Sequence, residues 1–152
     1  MKMRYRGITL LEIIAALGIL AFAATMIGSV FSNFSDSGKL IEAHSGIIGM
    51  LRDAKSRTLA SELSSNYGVH FQSDRVVLFR GDAYNAGDSS NEDYVLSDRV
   101  EINAIALTGG ASDIIFTRLQ GTTTASGTVT VRSINNLSKT RTITVLPSGG
   151  IQ

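Results

Sequence analysis

The sequence predicts an α+β fold in which one long N-terminal helix packs on an antiparallel β-sheet. Three observations support this prediction. The apolar segment Ile8–Phe31 carries a single charge, at Glu12. Apolar residues between Leu40 and Leu59 recur at three- and four-residue steps, the period of an amphipathic helix. After Asn66 the period changes to two and β-branched residues dominate, which is typical of half-buried strands.

The apolar segment is long enough to predict a transmembrane helix over residues 8–31. Ile13–Phe31 contains 19 residues without a charge, and as a helix it would reach about 28 Å, close to the hydrocarbon thickness of a bilayer. Lys2, Arg4 and Arg6 all precede it, so the positive-inside rule places the N-terminus in the cytoplasm. The pattern therefore predicts a single membrane crossing with the N-terminus in the cytoplasm.

A secretory signal peptide is the alternative interpretation of this segment. The basic start fits, and Ala21-Phe22-Ala23 offers a small-x-small cleavage site. Against it, Glu12 places a carboxylate where such a peptide is uniformly apolar. A soluble core helix is disfavoured by the length and apolarity of the segment.

The second half of the predicted helix is amphipathic. Its apolar stripe runs from Leu40 to about Leu63, where Ser64-Ser65-Asn66 provides a polar stop. Joined to the apolar segment, it predicts one helix of about 55 residues and roughly 80 Å. We expect its apolar stripe to lie on the domain that follows.

The remainder of the chain has the pattern of short antiparallel strands separated by turn residues. The polar segment Gly81–Ser97 is predicted to be mostly loop. Six strands and a shorter one inside that loop are predicted, at Tyr67–Phe71, Arg75–Arg80, Tyr94–Leu96, Val100–Leu107, Ile114–Arg118, Thr128–Ser133 and Arg141–Leu146.

The stretch Arg6-Gly7-Ile8-Thr9-Leu10-Leu11-Glu12 resembles the type III signal peptide of type IV pilins and type II secretion pseudopilins. The later order of helix and strands also resembles the pilin plan. The helix segment Leu51–Arg57, and the late strand Thr142–Val145 followed by Gly149-Gly150-Ile151, resemble the H-type minor pseudopilins and their type IV pilus relatives. The resemblance implies a pilin-like fold and cleavage after Gly7 by a prepilin peptidase. It also implies that Ile8 becomes an N-methylated N-terminus, that the apolar segment is retained, and that Glu12 is the fifth mature residue.

The resemblance implies a structural subunit of a type IV pilus or a type II secretion pseudopilus, with no active site. Its partners would be the prepilin peptidase, other pilin or pseudopilin subunits and the inner-membrane assembly platform. It would move from the inner membrane into a periplasmic or cell-surface filament. The implied organisation is a leader (1–7), a transmembrane and filament-core helix (8–31), an amphipathic half (32–63) and a β-rich extracytoplasmic domain (64–152).

Glu12 has a physical interpretation within this family picture. A carboxylate buried in a helical bundle is tolerable where a cation meets it, and removal of one partner of such a pair costs roughly 3–5 kcal/mol. The new amine of Ile8 in a neighbouring subunit would be that cation. Glu12 is therefore the predicted assembly residue.

Composition excludes several other functions. The chain has no cysteine, which excludes disulfides and thiolate metal sites. It lacks the HExxH, phosphate-loop and nucleophile-elbow patterns, so we predict no enzyme and no cofactor. The competing hypothesis is a membrane-anchored or secreted binding module, for example in DNA uptake or surface adhesion, without filament assembly.

Two binding chemistries remain open as secondary candidates. Asp88, Glu92 and Asp93 lie in the acidic loop and offer the hard oxygen ligands that calcium needs, though without EF-hand spacing. The formal charge of +1 gives no general argument for nucleic acid. A basic patch would need four residues to align on one sheet face: Arg118, Arg132, Lys139 and Arg141.

Overall fold

The computed structural model describes residues 9–24, 35–123 and 125–152, together with the helical backbone of 25–34. It divides into two units, one ending at Ser35 and one running from Asp36 to Gln152. Helical backbone is assigned over Leu10–Leu59 (α1). The side chains of α1 are described in two stretches, 10–24 and 35–59. Because these stretches belong largely to different units, each is treated by itself.

In the described part of the second unit, seven strands build two antiparallel sheets. The larger has four strands in the order β3-β2-β1-β5, and the smaller has three in the order β4-β6-β7. The strands are β1 (Tyr67–Phe71), β2 (Arg75–Arg80), β3 (Glu92–Val95), β4 (Val100–Leu107), β5 (Asp113–Phe116), β6 (Gly127–Ser133) and β7 (Thr140–Val145).

The predicted fold class, one long N-terminal helix packed on one antiparallel sheet, is wrong. The structure has two sheets, and no long apolar helix packs on either of them among the described residues. The helical stretch that joins the β-rich core begins at Asp36, in the second unit. The error over the sheets arises because period-two alternation identifies strands but does not say which strands pair.

The predicted transmembrane helix, membrane assignment and single-pass inner-membrane location are also contradicted. Among the residues that the structure describes, no helix combines the length and the apolarity that crossing a membrane requires.

The core of the second unit lies between the helix and the inner faces of both sheets. Leu40, Ala43, Ile47, Leu51 and Ala54 are buried at three- and four-residue spacing and form one cluster with strand residues. The sheets contribute alternate residues to the same cluster, among them Val69, Leu78, Ile114, Val129 and Ile143. The apolar stripe predicted for this half of the helix is therefore confirmed from Leu40 to Ala54, whereas Leu59 is 43% exposed and α1 ends there instead of at about Leu63.

Most strand positions agree with the sequence. β1, β2 and β4 have the predicted bounds, and the other four differ by a few residues at their ends. The hairpin predicted around Ser73-Asp74 is present, with β1 and β2 paired from Tyr67 opposite Arg80 to Phe71 opposite Val76. Local alternation and turn residues were sufficient for these elements because both act between neighbours in the chain.

Gly46 is required where β3 meets the helix. The Tyr94 hydroxyl donates a hydrogen bond to the carbonyl oxygen of Glu42 at 3.3 Å, and a methyl group at Gly46 would overlap the Tyr94 ring. We expect Gly46→Ala to lower the free energy of unfolding by about 1–3 kcal/mol, because overpacking outweighs the gain in helix propensity. Urea unfolding of the full chain, followed by tyrosine fluorescence, measures this.

Gly49→Ala is the matched control for that substitution. Gly49 lies about one turn further along the same helix, and a methyl group there meets nothing within 4 Å. Its replacement is expected to raise the free energy of unfolding by up to about 1 kcal/mol. An equal gain in stability at Gly46 would contradict the contact with Tyr94.

Candidate assembly surface

Thr9 caps the first described turn of the helix. Its hydroxyl accepts a hydrogen bond from the Glu12 amide at 3.3 Å, and its carbonyl oxygen accepts from the amides of Glu12 and Ile13 at 3.1 and 3.2 Å. The spacing Thr-x-x-Glu is the capping-box signature. Sequence reasoning missed Thr9, although this signature was present in the predicted signal itself.

The position of Glu12 therefore has a local explanation as well. A carboxylate in the first turn interacts favourably with the positive end of the helix dipole. The Glu12 carboxylate has no hydrogen-bond or ion-pair partner among the described residues. Gly7 and Ile8, the predicted cleavage and N-methylation residues, lie outside the described residues.

The helical stretch 10–24 is apolar on all sides and exposed in the single chain. Its large hydrophobic side chains have exposed fractions of 47–79%. At 100° per residue, their positions surround the helix axis instead of forming one stripe. They are Leu10, Leu11, Ile13, Ile14, Leu17, Ile19, Leu20 and Phe22. A helix with this distribution is typical of a buried position, and we call the stretch 10–24 the assembly helix.

The predicted calcium residues are engaged in other contacts. Glu92 receives two hydrogen bonds from the Arg57 guanidinium, which also binds Asp53 at 2.8 Å. The hydrogen bond to Glu92 is the main cause that raises the pKa of Arg57. Asp93 accepts from Arg75 at 3.1 Å.

Asp88, the third calcium candidate, is held within its own turn. It accepts hydrogen bonds from the backbone amide and the hydroxyl of Ser90, both at 2.8 Å. These bonds, the backbone one first, lower the pKa of the Asp88 carboxyl. Within the described part of the chain, no three acidic or histidine side chains are grouped as a metal site would need.

The four basic residues predicted to line one sheet face are not brought together. Arg132 lies opposite Thr140 and Arg141 lies opposite Val131 in the register of β6 and β7, so the two arginines project from opposite faces of the smaller sheet. Arg132 also donates to Glu101 at 3.1 Å, which neutralises its charge locally.

The other two basic residues are anchored elsewhere. The Arg118 guanidinium donates to the carbonyl oxygen of Ser64 at 2.7 Å, near the C-terminal end of α1. The Lys139 ammonium donates to the Ser37 hydroxyl at 2.9 Å. These contacts disperse the positive charge that a nucleic-acid surface would concentrate.

Most of the other candidate residues have partners within the chain. The assembly helix is therefore the described feature that most needs a partner from another molecule. Its surface is apolar on every side, and its one carboxylate is unpaired among the described residues. Comparisons of this chain with protein-family models, with curated proteins and with solved structures found no match.

Proposed function

We propose that this protein is a filament subunit of the type IV pilin and type II secretion pseudopilin class, processed by a prepilin peptidase and assembled by helix packing. The observation that supports the proposal best is the assembly helix, which exposes apolar side chains on all sides and contains one carboxylate. Contiguous exposed apolar surfaces of this kind mark interaction sites.

The free energy of burying apolar side chains favours packing of the assembly helix against other helices. Burial of one large aliphatic or aromatic side chain contributes about 1.5–3 kcal/mol, and eight such side chains are exposed on this stretch. A helix also satisfies its own backbone hydrogen bonds, so its neighbours need to supply only apolar contact. Copies of the same helix provide that contact on every side.

The carboxylate explains why the neighbours should be pilin-like subunits. Burial of Glu12 in a helical bundle is costly unless a cation meets it. Cleavage after Gly7 would create an amine at Ile8, close to Glu12 in the sequence and therefore at a similar height in an adjacent helix. Pairing of that amine with Glu12 of the neighbouring subunit would set the register of the assembly.

Processing of the native protein tests this proposal. Mass spectrometry is expected to find a mature chain that begins at Ile8 and carries an added methyl group at its N-terminus. Gly7→Leu should prevent cleavage and leave the unprocessed chain in the same assay. A mature chain that begins at Ala24 would contradict the proposal, because cleavage there removes Leu10–Ala23 and with it the assembly helix.

A further inference from the structure

The outer edge of β7 is open over half of its length. Near its end, the amide and carbonyl groups of Thr144 both pair with Gln152, at 2.9 and 3.0 Å. Because backbone groups alternate along a strand, those of Thr142 and Thr140 point to the same side. No strand pairs with them there in the part of the chain that the structure describes. The second half of this edge therefore pairs with the segment Ile151–Gln152, and the first half has no partner strand among the described residues.

A groove lies beside this open edge, between β7 and the helix. It has a volume of about 360 Å³ and is lined by Ser37, Leu40, Ile41 and residues 138–141. Ile41 is 48% exposed, and the Arg141 guanidinium has no hydrogen bond or ion pair within the described residues. The groove therefore suits a strand that carries an apolar side chain and a carboxylate.

The second unit also has an open edge of opposite charge, at β3. The amide of Leu96 donates to the carbonyl oxygen of Asp74 at 2.9 Å, so the alternating pattern directs the backbone groups of Asp93 and Val95 away from β2. Val95 is 61% exposed. No strand lies on this outer side among the described residues.

The charge around β3 is negative even after its ion pairs are counted. Four carboxylates share two guanidinium groups, which leaves a local net charge of −2. The carboxylates are Asp53, Asp74, Glu92 and Asp93, and the cations are Arg57 and Arg75. Glu92 and Asp93 are consecutive in the strand and project from opposite faces. If β3 paired with the β7 edge of another copy, one of these two carboxylates would lie on the same face of the joined sheet as Arg141 in either orientation.

We propose that the open edge of β7 in one copy pairs with the open edge of β3 in a second copy. The two edges are complementary in backbone hydrogen bonding, in charge and in the exposed side chains of Ile41 and Val95. The contact joins two different surfaces, so each copy keeps a free edge for a further neighbour and the pairing repeats along a line of subunits. The proposal rests on the proposed filament function, of which it would be the contact between β-rich units.

Single-cysteine variants test the pairing, because the natural chain has no cysteine. Full-length Val95→Cys and Thr142→Cys are mixed in equal amounts under filament-forming conditions and treated with copper phenanthroline as oxidant. Opposite residues in paired strands have Cα atoms about 4.5–5.5 Å apart, within the range that a disulfide spans. We expect the main product to be the mixed disulfide that joins position 95 of one variant to position 142 of the other, identified by mass spectrometry of the linked peptides.

Thr130→Cys replaces Thr142→Cys in the matched control. Thr130 and Thr142 lie opposite each other with hydroxyls 3.3 Å apart, but Thr130 belongs to the central strand. It would therefore be about 10 Å from a strand added to β7, too far for a disulfide. The mixed product with Thr142→Cys should exceed the control by about tenfold, and Arg141→Glu in the Thr142→Cys partner should reduce it several-fold.

The outcomes separate this pairing from the proposed function. Filaments without excess mixed disulfide would overturn the pairing of β3 and β7 and leave the function standing. Mixed disulfide in a chain that forms no filaments would support the pairing and count against the function. Equal yields of mixed disulfide with Thr130→Cys and Thr142→Cys would overturn the pairing whether or not filaments form. This outcome includes the case in which a different protein binds the β7 edge.

Discussion

Replacement of Glu12 by glutamine is expected to abolish filament assembly while the β-rich unit stays folded. In the proposed filament, this change leaves the amine of Ile8 in a neighbouring subunit buried without its carboxylate. The loss of one partner of a buried pair costs about 3–5 kcal/mol, which is roughly a hundredfold or more in the association constant. Sedimentation and electron microscopy of the processed protein measure the assembled fraction.

Glu42→Gln is the control for that experiment. Glu42 lies on the second helical stretch in an exposed ion pair with Lys39 at 2.8 Å, and exposed pairs contribute about 0–1 kcal/mol. We expect assembly of this variant to equal that of the natural protein. If Glu12→Gln also assembled normally, the Glu12 carboxylate would have only its local interaction with the positive end of the helix dipole.

Leu51→Ala is expected to destabilise the β-rich unit by about 2–5 kcal/mol, the range for a fully buried leucine. Leu51 is 0% exposed and lies in the cluster that joins the helix to both sheets. Its truncation removes apolar burial and leaves a cavity that the two sheets can fill only in part. Urea unfolding followed by tyrosine fluorescence reports on this unit, because the chain has no tryptophan and Tyr67, Tyr84 and Tyr94 all lie in it.

Leu59→Ala makes the same chemical change near the end of α1, where the side chain is 43% exposed. It buries less surface and leaves no closed cavity, so we expect a loss of about 1 kcal/mol or less. Similar losses at Leu51 and Leu59 would contradict the packing of the helix on the core.

The sequence was most informative where the physical signal is local. The apolar stripe from Leu40 to Ala54 and the bounds of β1, β2 and β4 follow from the spacing of neighbouring residues. The pairing of strands could not be predicted in this way. β5 returns to β1, and β4 pairs with β6 across the intervening strand. These pairings bring together residues far apart in the chain. Several strands have the same alternation of apolar and polar residues, so the pattern does not say which of them pair.

Buried polar contacts could likewise not be predicted from the sequence. Asp36 lies within α1 and is 3% exposed. Its carboxylate accepts hydrogen bonds from Asn135 at 3.1 Å and Arg99 at 3.5 Å. These donors come from two distant loops. Aspartate has a low helix propensity, and no local pattern shows that these two loops would meet Asp36.

The candidate site divides in the same manner. The sequence by itself determined that an apolar helical stretch carries a single carboxylate at Glu12, since composition and periodicity are properties of the chain alone. Only the tertiary structure decided that Glu92 and Asp93 bind arginines instead of grouping as metal ligands. It also decided that β3 and β7 end as open edges of opposite charge, because which strands lie at an edge depends on long-range pairing that no local pattern encodes.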